Sequence, residues 1–146
     1  MNVLTRSVRT DYDPQIMFDM VADIESYPRF VPWCQEATIK ARLENAVEAS
    51  LRIAKGPLNL GFTTRNTMTP QERIDIDLVE GPFRHFRGVW SFEPLAKGSL
   101  VTLKLEFDFA SRLLGRVLSP VLEEVAGAMV RAFSTRADEL HAGRGI

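Results

Sequence analysis

Few side chains in this chain could serve as a nucleophile or general base: one cysteine, Cys34, and two histidines, His85 and His141. A thiol acts as a nucleophile when an imidazole lies within hydrogen-bond reach, and no spacing here brings either ring to the cysteine. The same three residues match no metal-ligand spacing. Asp75, Asp77, Glu106 and Asp108 alternate with apolar residues in strand-like stretches, which puts them on a wet face. Glu123 and Glu124 suit the positive end of a helix dipole, and no glycine pattern of the phosphate-cradling kind occurs. The residues predict neither a catalytic nor a metal site. What they offer is recognition, through apolar surface, aromatic rings and a few hydrogen-bonding groups.

Thr64 and Asn66 are the polar residues hardest to place. They share a strand face with Phe62 and Met68, so their polar atoms fall on the apolar side, where each unpaired one costs roughly 1–3 kcal/mol. A ligand carbonyl, a cross-strand partner or trapped water would each satisfy them.

The elements that would position such groups are legible from period and punctuation. Residues 3–8 are β-prone. Asp13 and Pro14 then suit the N-cap and first position of a helix, whose apolar side is Ile16, Met17, Met20, Val21 and Ile24. A second helical turn is expected at 29–31. After Pro32 the period changes to two, and residues 38–42, 47–53, 62–68 and 74–78 read as strands joined by turns. Phe86, Gly88, Trp90 and Phe92 share one face of the next strand. Val101, Leu103, Leu105, Phe107 and Phe109 share one face of the last, with polar residues opposite, so the sheet is wet on one side only. Its cover is a stripe at helical spacing: Leu114, Leu118, Val121, Leu122, Val125, Met129, Phe133 and Leu140. Ser119-Pro120 is expected to end a short helix at 112–118 and to start the main one. The result is a single α+β domain over 1–146, in which seven antiparallel strands curl around the C-terminal helix.

A length of 146 residues suffices for one core without staples. A hydrophobic share of 45% with 25% charged residues excludes a disordered or fibrous chain. The net charge of -1 provides no global field for nucleic acid, and DNA is not an expected partner, although a local basic patch could still form. The lone cysteine needs no oxidising compartment, and the opening residues lack the apolar stretch of a secretion signal. No run reaches bilayer-spanning length. The expected location is the cytoplasm, with any membrane contact peripheral, at its inner face.

The string YPRFVPWC at 27–34 resembles the coenzyme Q-binding family of START-like, polyketide cyclase/dehydrase-like domains, a group that also includes proteins named ribosome association toxins. The resemblance continues through EGPFRHFRGVWSFEPL at 80–95, GSLVTLKLEFDF at 98–109 and AMVRAFSTRADEL at 128–140. It implies a helix-grip fold, with a seven-stranded curved antiparallel sheet wrapped around a long C-terminal helix and an apolar cavity between them. It also implies binding of ubiquinone or a similar isoprenoid lipid in support of respiration, with no other cofactor.

A quinone with a long tail needs an apolar tunnel and one or two donors for its carbonyls. Phe62, Phe86, Trp90, Phe92, Leu105, Phe107, Met129 and Phe133 would line that tunnel, Thr64 and Asn66 would meet the head group, and Gly88 would leave room for it or mark a bulge. The same residues would also make an ordinary packed core. Tyr27, Phe30, Val31 and Trp33, stiffened by two prolines, would form a flap over one end, or a packed corner between helix and sheet. Turns at 55–61 and 81–87, the latter carrying Phe83, are expected at the opposite end, where their basic and apolar residues could touch an anionic membrane. Alternatively, the protein acts on the ribosome, binding the large subunit and blocking subunit association, with Arg84, His85 and Arg87 beside Phe83 and Phe86 as its RNA-facing patch. An enzyme of the polyketide-processing kind would need an ionisable group inside the cavity.

Overall fold

The computed structural model describes residues 1–141. Strand β1 (Asn2–Thr10) leads to helix α1 (Pro14–Ala22) and a short 3-10 helix (Ile24–Arg29). Then follow β2 (Cys34–Arg42), β3 (Ala46–Lys55), β4 (Leu58–Thr69), β5 (Arg73–Glu80), β6 (Phe83–Pro94), β7 (Ser99–Phe109) and helix α2 (Arg112–His141). The seven strands form one sheet in the order β1-β7-β6-β5-β4-β3-β2. Every neighbouring pair is antiparallel. Six strands follow each other as a meander, and β1 closes the far edge by pairing with β7, Leu4 opposite Leu105.

Local chemistry accounts for the start of α1. Asp13 Oδ1 accepts the Ile16 N–H at 3.0 Å and Pro14 takes the first helical position, the arrangement the sequence predicts. The helical turn expected at 29–31 lies earlier, at Ile24–Arg29. Tyr27 buries its ring there and donates its hydroxyl to the Val21 carbonyl, which anchors the turn to the end of α1.

In β7 the alternation is complete: Val101, Leu103, Leu105, Phe107 and Phe109 are buried and the residues between them are not. In β6 a register shift between Phe83 and His85 explains why Phe83 and Phe86, three apart, both point inward, since a bulge inserts one residue and flips the faces beyond it.

The C-terminal helix runs unbroken through Ser119 and Pro120, so the expected restart does not occur. Proline forfeits one helical hydrogen bond and crowds the carbonyl four residues back. The packing of Leu118, Val121, Leu122 and Val125 against the core carries the helix across that defect, and the Asn2 side chain donates to Ser119 Oγ at 3.2 Å, tying the site to β1. Glu123 and Glu124 therefore sit mid-helix and cannot complement its N-terminal dipole. Leu114 and Leu140, expected on the apolar stripe, are exposed at its two ends. Among the described residues no helix is long and apolar enough to cross a membrane.

Gly98 turns β6 into β7 with φ +81°, and a Cβ there would sit 1.8 Å from the Thr10 carbonyl oxygen. Gly56, at φ +56°, has open space around the same position. Gly56→Ala should therefore cost only the left-handed backbone penalty, about 1–2 kcal/mol, and Gly98→Ala distinctly more, because backbone must move. Equal losses in urea denaturation would contradict this reading.

Candidate functional site: an apolar cavity under the helix

The sheet and α2 enclose a cavity of about 70 Å³. Ala49 on β3 and Ala126 on α2 both lie on its wall, and such small side chains leave unfilled space. Leu51, Asn66 and Ile76 on the wall are half-exposed, so the cavity mouth lies over β3–β5.

Of the residues the sequence predicts at a ligand site, Tyr27, Phe62, Thr64, Asn66, Phe86, Trp90, Leu105 and Met129 reach the wall. The others do not. Phe92 packs edge-on to Phe18, with ring centroids 5.4 Å apart. Phe107 is fully buried beside Phe109. Phe133 is also fully buried and holds Tyr27 and Phe30 at 5.3 Å and Trp90 at 5.4 Å. Phe83 stacks between Phe86 and Phe109, 4.8 Å from each. Val31 is core, while Phe30 and Trp33 are half-buried. Facing side chains on a curled sheet sort into cavity and core according to what α2 covers, and alternation alone cannot tell these apart. Val21 and Ile24 before the flap, Ile53, Ile74 and Leu103 on the sheet, and Leu122 and Val125 on α2 complete the wall. Their signal was the same apolar periodicity, without aromatic rings to single them out.

The polar pair has a simple resolution: Thr64 Oγ1 donates to Asn66 Oδ1 at 2.7 Å. The partner lies two residues along the same strand, so neither ligand nor cross-strand group is needed. Gly88 opens no space, because a Cβ there would meet Leu105 and Ile76 side chains at 3.2 and 3.3 Å.

The 27–34 segment is tied down at both ends. Trp33 takes a left-handed backbone, φ 63°, and accepts the Ala54 N–H at its carbonyl, 3.0 Å. Lys55 Nζ lies 4.6 Å above the Trp33 ring and 3.5 Å from Glu124 of α2. Residue 55 thus abuts the flap, so the turn it opens is not at the far end from it as the sequence reading expected. The segment is a packed corner in this conformation.

The patch expected to face RNA is also rearranged. Phe83 and Phe86 point into the core. Arg84 lies 3.6 Å from Asp108, Arg87 3.8 Å from Asp77, and His85 3.6 Å from Glu106. The two arginines are exposed and lie near cross-strand carboxylates on the outer face, while His85 is half-buried with its Nε2 shielded from solvent.

Among the described residues, Tyr27 is the one titratable group on the cavity wall. Burial raises its pKa well above that of a free phenol, with the neighbouring Cys34 and Asp23 adding to the effect, and its proton is committed to the Val21 carbonyl. It holds the corner to the end of α1, and its raised pKa disfavours a role as general base. Cys34 lies buried at the start of β2, its thiol pointing at the Glu36 carbonyl, 3.6 Å away. Burial pushes the thiol up to about 11 from 9.0. Since the thiolate is the reactive form, iodoacetamide at pH 8 should modify Cys34 in the folded protein on the order of 100-fold more slowly than in urea-unfolded chain. The raised pKa keeps the folded thiol protonated, so this group's share of stability holds below pH 9 and is lost as the pH rises towards 11. Comparable alkylation rates in the two states would refute the burial assigned to it.

The description of the polyketide cyclase / dehydrase and lipid transport family matches residues 10–134. The ribosome association toxin RatA of Pseudomonas aeruginosa is 39% identical over 139 residues, 94% of this chain and 96% of that protein. The mitochondrial coenzyme Q-binding protein COQ10 homolog B of Xenopus laevis is 28% identical over 86% of this chain and 53% of its own length. Among solved structures, the Zhui aromatase/cyclase from Streptomyces sp. R1128 superposes with a TM-score of 0.87 at 18% identity, over 99% of both chains, a likeness of fold. The chain belongs to the polyketide cyclase / dehydrase and lipid transport family, with the ribosome association toxins among its relatives.

Proposed function

We propose that this protein is a non-enzymatic, ribosome-associating protein that binds the large subunit and hinders its union with the small one. The observation that carries the reading is the 39% identity to a ribosome association toxin along nearly the whole chain. Two features of the cavity support placing the activity on the surface. Its volume of about 70 Å³ falls far below the roughly 300–1,000 Å³ of pockets that hold drug-sized ligands. Its wall carries no proton-transfer group apart from Tyr27, whose hydroxyl is already engaged, and this argues against the cyclase chemistry named for the Streptomyces neighbour.

A second reading, ubiquinone or a similar isoprenoid lipid in the cavity, rests on the likeness to the COQ10 homolog and on the wall's apolar character. It requires α2 to lift from β3–β5, where the half-exposed Leu51 and Ile76 offer the least resistance.

On a sucrose gradient the protein should cosediment with isolated large subunits at low salt and, when added to both subunits, reduce the yield of joined ribosomes. Absence of both effects would refute the first reading. Mass spectrometry of an organic extract, from protein purified out of a quinone-making host, tests the second. A near-stoichiometric quinone supports it, and a lipid-free extract removes it.

A further inference from the structure

Three arginines without a carboxylate partner among the described residues, Arg6, Arg29 and Arg131, lie away from the patch the sequence singled out. Arg6 lies on edge strand β1, at an inward-facing position two residues after the buried Leu4. Its side chain runs across α2 at Gly127. A Cβ at Gly127 would lie 3.6 Å from Arg6 Nε and 3.4 Å from Arg131 Nη1, so both side chains approach the same point over the helix, with Arg6 also donating to the Thr5 carbonyl at 3.0 Å. Gly127 is buried beneath them, and a larger residue there would push them apart.

Among the described residues, none of Arg6, Arg29 and Arg131 has a carboxylate oxygen within 4.0 Å. Like charges held together without a counter-charge repel, and here the packing of β1 on α2 enforces the arrangement. Arg131 also lines a surface groove of about 460 Å³ whose rim carries Arg29 and Arg136 and whose wall includes Phe30. Arg136 lies 5.4 Å over the Phe30 ring and pairs with Glu139 at 3.6 Å. Arg29, Arg131 and Arg136 thus share this groove with one carboxylate, Glu139, and Arg6 on β1 extends the strip across Gly127.

The geometry points to a binding site for the phosphate backbone of RNA, with Arg6 and Arg131 clamping one phosphate and the Arg29/Arg136 groove receiving the adjoining strand. Guanidinium groups match phosphate oxygens in paired, planar geometry. The groove is concave, which fits a curved RNA backbone better than a flat bilayer. This assignment rests on the ribosome-association reading and names its contact surface. The sequence gives little notice of it, since the arginines come from three separate elements.

The test measures fluorescence anisotropy of a labelled RNA duplex of about 20 base pairs, from about 50 to 200 mM salt, with intact protein. The double variant Arg6→Gln/Arg131→Gln should raise Kd tenfold or more and lower the log–log salt slope by about 1, for the one lost phosphate contact. Arg131→Lys should retain part of the affinity. Arg84→Gln/Arg87→Gln, on the charge-compensated outer face, should stay within about twofold of wild type. Unchanged binding by the Arg6/Arg131 variant, no duplex binding by wild type at the lowest salt, or tighter binding to phosphatidylglycerol vesicles than to RNA would each overturn the assignment. If both proteins cosediment equally with large subunits, the assignment falls and the ribosome reading stands. If the arginines govern RNA binding but wild type does not cosediment, the ribosome reading falls and the RNA site stands.

Discussion

Everything in this molecule depends on one contact, the burial of α2 in the concave face of the sheet, with Phe133 at its centre. That ring meets Trp90 on β6 and, through Tyr27 and Phe30, the corner that links α1 to β2. Around it, residues 125–130 of the helix are buried on all sides, which holds for few helices that lie at the surface of a domain. Removing such an aromatic side chain typically costs about 3–5 kcal/mol, a large part of the stability of a single domain. The same burial fixes the cavity, the corner and the arginine strip relative to one another. Each is built partly from α2.

The cavity is best understood as what remains when this grip is imperfect. Two alanines lie on its wall, one from β3 and one from α2, while aromatic clusters pack nearby: Phe133 with Tyr27 and Trp90, and Phe62 with Phe83 and Phe86. A relative acting on larger molecules needs only larger voids in the same frame, because fold does not dictate function. In this chain the void is small and its hydroxyls are spoken for, by a backbone carbonyl for Tyr27 and by Asn66 for Thr64.

How much of this the sequence carried follows from the range of the interactions concerned. The α1 cap, the alternation of β7 and the cover of the sheet by a C-terminal helix depend on neighbours a few residues apart and were legible. The unbroken passage of α2 through Pro120 was not, because tertiary packing and the Asn2 contact decide it. Eight of the residues expected around a ligand do line the cavity, but Phe92, Phe107 and Phe133 belong to the solid core. The inward side of a strand is readable from period two, whereas the place where the helix leaves space is a property of three dimensions. The same holds for charge: Arg84, His85 and Arg87 look like a basic patch in sequence, yet cross-strand carboxylates compensate them. Arg6 and Arg131 are far apart in sequence and stand together.

The proposed site of action is an arginine-bearing outer surface and not the interior. Hydroxyl-radical footprinting of the protein with and without large ribosomal subunits addresses it most directly, because it reads side-chain cover on both surfaces at once. The account predicts that Phe30 and Pro32, which lie on the arginine groove, lose reactivity on binding while Leu51 and Ile76 at the cavity mouth keep theirs. Protection of Leu51 and Ile76 with Phe30 and Pro32 unchanged would contradict it.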